Sequence, residues 1–277
     1  MTDNQQPQLE AQSVTLGYGA QTVTCRDLTL AIRPGSFTVI VGPNACGKST
    51  LLRALARLLV PSQGQVVLDG QDINRLKTRD VARRLGLLPQ ASSAPEGISV
   101  AELVARGRYP HQSFLRQWSA ADEDAVRSAI AATDIADLSE QPVDTLSGGQ
   151  RQRAWVAMAL AQETPILLLD EPTTFLDIAH QIDLMDLLER LNREGRTIVA
   201  VLHDLNQAAR YASHLVAMKD GKILAEGHPR DVVTQGMVKT IFDIACIVIE
   251  DPVTGLPMVV PAKSARAESY RKMTARM

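Results

Sequence analysis

Apolar positions along the chain fall into two rhythms. In the first thirty residues, β-type stretches at 13–16, 22–24 and 28–32 are broken by Gly17 and Gly19, a pattern that predicts antiparallel strands. Pro34-Gly35 reads as a turn. Phe37–Val41 is a continuous apolar run, suited to a strand buried on both faces. Leucines 51, 52, 55, 58 and 59 then recur at helical spacing and predict a helix over 48–59. Residues 66–68 and 71–73 flank Asp69-Gly70 and predict a hairpin. The stretch 91–160 reads as mostly helical, with alanine-rich periodicity at Ala120–Ala132 and 153–161.

After residue 160 the rhythm alternates. Strands are expected at 166–169, 197–202 and His214–Lys219, with helices at 178–194 and Leu205–Tyr211 between them. Such alternation requires crossovers and hence a parallel sheet. Asp220-Gly221 turns the last strand back into 222–226, and two further strands, Cys246–Glu250 and 258–260, follow Gly236. No internal repeat or low-complexity linker divides the chain. One α/β domain is expected over 9–261, with a mainly parallel core, an antiparallel β portion and a helical lobe at about 91–160. Residues 262–277 carry five basic side chains and one acidic one, and are expected to form a loosely packed basic tail.

Composition narrows the class. Of 277 residues, 45% are hydrophobic and 22% charged, which excludes wholesale disorder. The formal charge of −2 argues against a nucleic-acid-coating protein. Cys25, Cys46 and Cys246 are odd in number and widely spaced, forming neither a disulfide framework nor a zinc pattern, and suggest a reducing compartment. No apolar run approaches the roughly 20 residues of a membrane span, and residues 1–8 are polar, unlike a signal peptide. Work at a membrane would therefore go through partners.

Three stretches carry chemistry. Gly42-Pro43-Asn44-Ala45-Cys46-Gly47-Lys48-Ser49 follows an apolar strand and opens a helix, as a phosphate-binding loop does. Loop N–H groups and the helix start would hold phosphate oxygens, Lys48 would reach the β and γ phosphates, Ser49 would ligate Mg²⁺, and Thr50 would add a phosphate hydrogen bond. The strand at 166–169 ends in Asp170, placed for Mg²⁺, and Glu171, placed as the base that polarises water. Leu146-Ser147-Gly148-Gly149-Gln150 opens another helix, a second candidate anion site. Each stretch has a bland alternative: a glycine turn, a surface strand end, a helix cap. Together they support one nucleotide site. Cys46 reads as a small filler inside the loop rather than a nucleophile.

With these motifs in this order and spacing, the chain resembles the nucleotide-binding subunits of ATP-binding cassette transporters over about residues 9–261. The resemblance implies that Tyr18 stacks on adenine, that Gln90 touches Mg²⁺ and water and senses the transporter, and that His203 contacts the γ-phosphate. It also implies that Asp177 sits at a dimer interface. Two copies would face head to tail, with ATP on Lys48 and Ser49 of one covered by Ser147, Gly148, Gly149 and Gln150 of the other. Hydrolysis would drive membrane permease subunits through the groove near Gln90, placing the chain peripherally on the cytoplasmic face. Ala45 stands where the family usually has Gly, and if that position needs φ > 0 it is strained by about 1 kcal/mol.

The stretches 104–111, 173–181 and 251–258 resemble the ATPases of ferric-siderophore importers, whose near relatives serve cobalamin and haem. In the first, Arg106, Arg108 and Tyr109 are expected to meet the permease. A periplasmic or lipoprotein substrate-binding protein is the implied third component; no nucleic acid is. A soluble cassette ATPase of the translation or repair type would usually carry two cassettes or a long coiled-coil insertion, and neither is present. A non-hydrolysing nucleotide sensor would not need both Glu171 and His203.

Overall fold

The computed structural model describes residues 8–18, 22–90, 93–112 and 118–262. Apart from Ala262, the expected basic tail lies outside the described residues.

The chain opens with β1 (Leu9–Tyr18) and β2 (Thr22–Ile32), an antiparallel pair longer than the broken stretches the sequence suggests. The difference lies in bulges: the pairing has three register irregularities, two of them at left-handed residues. Ser13 and Asp27 adopt φ of 47° and 48°, each where the register slips by one residue. A bulge inverts strand parity, so Leu9 and Ala11, then Val14 and Leu16, all face inward. β3 (Phe37–Val41) is buried throughout and leads into α1 (Lys48–Leu55). That helix stops short of the expected Leu59. Arg57 turns left-handed at φ 60°, and Leu58 is left 65% exposed. β4 (Gln63–Leu68) and β5 (Gln71–Asp72) form the expected hairpin and complete a four-stranded antiparallel sheet in the order β2-β1-β4-β5.

Two short elements have no clear sequence signal: α2 (Thr78–Ala82) and β6 (Leu85–Leu88). The helical region holds α3 (Val100–Ala105), α4 (Ala120–Ala132) and α5 (Gly148–Ala161), with one 3₁₀ segment (Arg106–His111) after α3 and two (Ala136–Leu138 and Val143–Thr145) between α4 and α5. Ser99, Ser119 and Ser147 cap the three helices, each in a reciprocal box with the residue three positions on. The remaining strands and helices are β7 (Ile166–Asp170), α6 (Ile178–Arg193), β8 (Thr197–Val201), α7 (Leu205–Tyr211), β9 (His214–Lys219) and β10 (Lys222–Gly227). After α8 (Pro229–Val232) and α9 (Gln235–Phe242), β11 (Cys246–Glu250) and β12 (Pro257–Pro261) form a separate two-stranded sheet among the described residues.

The central sheet runs β10-β9-β3-β8-β7-β6, parallel except at β10. Its middle strands are apolar on both sides because each side meets a different core. Val39, Leu167, Leu169, Ile198 and Ala200 face the helical side, with α5, α6 and α7. Ile40, Ile166, Leu168, Val199 and Val201 face α1 and the antiparallel sheet. α1 is thus wedged between two sheets, with Leu51, Leu52 and Leu55 fully buried. The start of α1 is held where β3 delivers the loop before it.

Candidate functional site

Between Val41 and Lys48 the chain turns within a few residues, and local sterics explain the glycines. A Cβ on Gly42 would run into the Met218 carbonyl oxygen, and one on Gly47, at φ 105°, would stand 2.7 Å from Cys25 Sγ. Ala45 does adopt φ 61°, so the strain foreseen for it, about 1 kcal/mol, is present. Lys48 is buried, and its Nζ donates to the carbonyls of Gly42 and Pro43, both at 2.9 Å. The ammonium therefore bridges the mouth of the loop. The first N–H groups of α1 lack acceptors in their own helix, as at any helix start. Cys46 is buried in the loop, and burial raises its thiol above the ordinary range, as it raises Cys25 to about 11. Both behave as packed side chains rather than nucleophiles.

Parallel neighbours bring the other groups in. β6, β7 and β8 lie side by side, so residues just past their C-terminal ends converge. Gln90 Nε2 donates to Glu171 Oε2 at 2.7 Å, and His203 Nε2 lies 2.6 Å from Glu171 Oε1. Both carboxylate oxygens are thereby oriented. Glu171 is left-handed at φ 54°, and its N–H donates to the Val201 carbonyl at 3.1 Å. One residue earlier, Asp170 is 2% exposed and accepts from Ser49 Oγ at 2.9 Å. Burial pushes its carboxyl upward, Ser49 pulls it back, and Glu171 pushes it up again.

Most of these residues line one cleft of about 590 Å³; Gly42, Pro43, Cys46 and Asp170 are not part of its wall. Tyr18, Asn44, Ala45, Gly47, Lys48, Ser49, Thr50, Gln90, Glu171 and His203 all contribute to its wall. So does Thr24, which no sequence signal marks. The Tyr18 hydroxyl accepts from Arg53 Nη1 at 3.0 Å, across from α1. Hard oxygen ligands at Ser49 and Asp170, with a buried carboxylate in need of a positive partner, suit a small divalent cation.

Ser147, Gly148, Gly149, Gln150 and Asp177 do not line this cleft. Ser147 and Gln150 form the capping box of α5. A Cβ on Gly148 or Gly149 would meet its nearest neighbour, Phe175 or Leu176, at ordinary distances of 3.5 and 3.6 Å. Packing within the chain thus does not require glycine at either position. Asp177 caps α6, and the His180 N–H that it accepts holds its carboxyl below the ordinary range.

The 104–111 stretch divides differently from the expectation. Arg108 is buried, bonding Asp122 Oδ1 at 2.9 Å, the Ala161 carbonyl at 2.7 Å and Glu163 Oε2 at 2.8 Å. It clamps α4 to the end of α5 and is not available to a partner. Tyr109, 61% exposed, lines an open groove of about 600 Å³ with Arg106, Glu96, Glu102 and Trp118.

A phosphate loop between a parallel strand and a helix, facing a clamped glutamate and a buried aspartate, defines a nucleotide-hydrolysing cassette of α/β architecture. Residues 25–174 match the ABC transporter family. The chain belongs to that family. It is 58% identical over 254 residues to the ferric enterobactin transport ATP-binding protein of Escherichia coli (strain K12), covering 91% of this chain and 93% of that one. It is 50% identical over 262 residues to the petrobactin import ATP-binding protein of Bacillus anthracis, covering 94% and 96%. Among solved structures, a dimeric bacterial ABC transporter cassette matches with a TM-score of 0.73 at 28% identity, over 79% of this chain and 98% of that one.

Proposed function

We propose that the chain is the ATP-hydrolysing subunit of a ferric-siderophore importer, working as a head-to-tail pair on the cytoplasmic face of a membrane permease. The observation that carries the ATPase reading is the Glu171 carboxylate, held between Gln90 and His203 in the cleft that Lys48 also lines. Glu171 accepts a proton from the attacking water, and His203 keeps the carboxylate aimed and contacts the γ-phosphate. Lys48, the loop from Gly42 to Gly47 and Thr50 hold phosphate oxygens, while Tyr18 stacks on the base. A magnesium ion on Ser49 and Asp170, with Gln90 beside it, supplies neutralisation of the phosphate charge when bound.

The pairing is supported by the glycines that nothing inside the chain requires. At Ser147–Gly148–Gly149–Gln150 a small backbone lets the second copy's nucleotide approach closely, and Asp177 borders the same face. The groove at Tyr109 and Trp118 fits a helix of the permease. Among the described residues no helix is long and apolar enough to cross a membrane, in keeping with attachment through that partner. The permease would in turn receive cargo from a substrate-binding protein. We take residues 9–261 as the cassette.

Iron chelate is favoured as cargo because relatives named for ferric enterobactin and petrobactin match nearly end to end. Uptake by a strain deleted for this gene tests it. Radio-iron uptake from a ferric siderophore should fall under iron starvation and return with the wild-type gene, but not with Lys48→Ala. Normal uptake of every ferric chelate, with loss of cobalamin or haem uptake, would move the cargo to one of those. No transport defect at all would favour a soluble cassette ATPase.

A further inference from the structure

Resting on the ATPase reading above, we propose that Gln181 and Gln207 form a positioning relay that ties the loop after Glu171 to the segment carrying His203. Gln181 lies on α6, four residues past Asp177. Its Nε2 donates to the Leu176 carbonyl at 3.0 Å and reaches the Thr173 carbonyl at 3.4 Å. Its Oε1 accepts from Gln207 Nε2 at 2.8 Å. Gln207 is in the first turn of α7, which begins directly after His203 and is capped by Asp204 through the N–H groups of Asn206 and Gln207. Two amides, 26 positions apart, thus join the two segments that deliver Glu171 and His203, whose side chains meet at 2.6 Å.

The loop has something to be held against. Between Glu171 and Asp177 two non-glycine residues, Glu171 and Phe175, are left-handed, at φ 54° and 68°. Such conformations persist only where the surroundings over-determine them. The loop's internal turns, Thr174 N–H to the Glu171 carbonyl and Leu176 N–H to the Thr173 carbonyl, are long at 3.2 and 3.3 Å. The Gln181 amide supplies an outside restraint on the same backbone at Thr173 and Leu176, beside those of Gln152 Nε2 on the Pro172 carbonyl at 3.0 Å and of the Val201 carbonyl on the Glu171 N–H. The other end of the relay is fixed as well. Asn206, beside Gln207, pairs both ways with the backbone of Val259 in β12, donating at 3.1 Å and accepting at 2.7 Å. The C-terminal hairpin therefore braces the helix from which the relay hangs. Neither glutamine lines the nucleotide cleft, so neither acts on substrate directly.

Steady-state ATPase kinetics of the full chain test the relay, with wild type, Gln181→Ala, Gln181→Glu, Gln207→Ala and the Gln181→Ala/Gln207→Ala pair. Gln181→Glu matches the shape and keeps the bond from Gln207 but has no N–H for Leu176. Each variant should lose about five- to tenfold in kcat with KM for ATP within about twofold, as expected when an orienting hydrogen bond is lost and nucleotide binding is not. The double variant should fall no further than the weaker single one, because the two residues act in series. Wild-type kcat in both Gln181 variants, a loss seen in KM instead, or single effects that multiply in the double would each overturn the relay. A wild-type chain that binds ATP and never hydrolyses it would overturn the ATPase reading itself.

Discussion

Asp170 is buried beside a second carboxylate, and among the described residues its only side-chain hydrogen-bond donor is the Ser49 hydroxyl. Its carboxyl is raised by burial, so at neutral pH the folded chain bears a cost for the charge that the unfolded chain does not. That cost vanishes where the group is protonated in both states and grows as pH rises from the ordinary carboxylate range through the raised value. Asp170→Asn, which keeps an acceptor for Ser49, should therefore melt higher than wild type at pH 7 to 8, with the difference closing toward about pH 4. The same variant should lose roughly a hundredfold or more in magnesium-dependent hydrolysis. Thermal melts across pH, paired with ATPase assays, check both halves; a variant less stable at pH 8 than at pH 5, relative to wild type, contradicts the account. At this scale the site was readable wherever chemistry needs a run of neighbours, as in the phosphate loop and Asp170-Glu171. Thr24, Arg53, Gln181 and Gln207 were not readable, because ordinary residues far apart in the chain acquire their contacts only from the tertiary fold.

Elements show the same division. Long apolar runs announced β3, β7, β8 and β9, since central parallel strands must be apolar on both faces. β6 was silent. It is four residues with a glycine at its second position, and it is a strand only because β7 offers an edge to pair with. The leucines at 58 and 59 imitated a longer α1, but Arg57 ends it, a backbone choice that periodicity does not register. The 3₁₀ turn Arg106–His111 put neighbouring residues to opposite uses, Arg108 inward and Tyr109 outward. Arg108→Ala leaves Asp122, also buried, without its guanidinium, and should lower unfolding free energy by about 3 kcal/mol in denaturant titrations. Tyr109→Ala should change stability by less than about 0.5 kcal/mol. Tyr109→Ala should instead reduce ATPase stimulation by permease in membrane vesicles. Equal destabilisation by both variants would mean that the turn does not sort them in this way.

The whole molecule presents a cleft built from the C-terminal ends of its parallel strands, and, separately, a helix start whose glycines meet no steric demand within the chain. Sequence order supplied both motifs, and the family resemblance already assigned them to facing copies; the folded chain adds that the two stand apart within one chain, in keeping with that pairing. The central claim is that Glu171 drives hydrolysis and that ATP, while unhydrolysed, holds two copies together. Light scattering of purified Glu171→Gln with and without magnesium ATP tests this directly. The variant should bind ATP, turn over at less than about one hundredth of the wild-type rate, and shift from the mass of one chain to that of two on adding ATP. Near-normal turnover by Glu171→Gln, or a single-chain mass at saturating ATP, would contradict it.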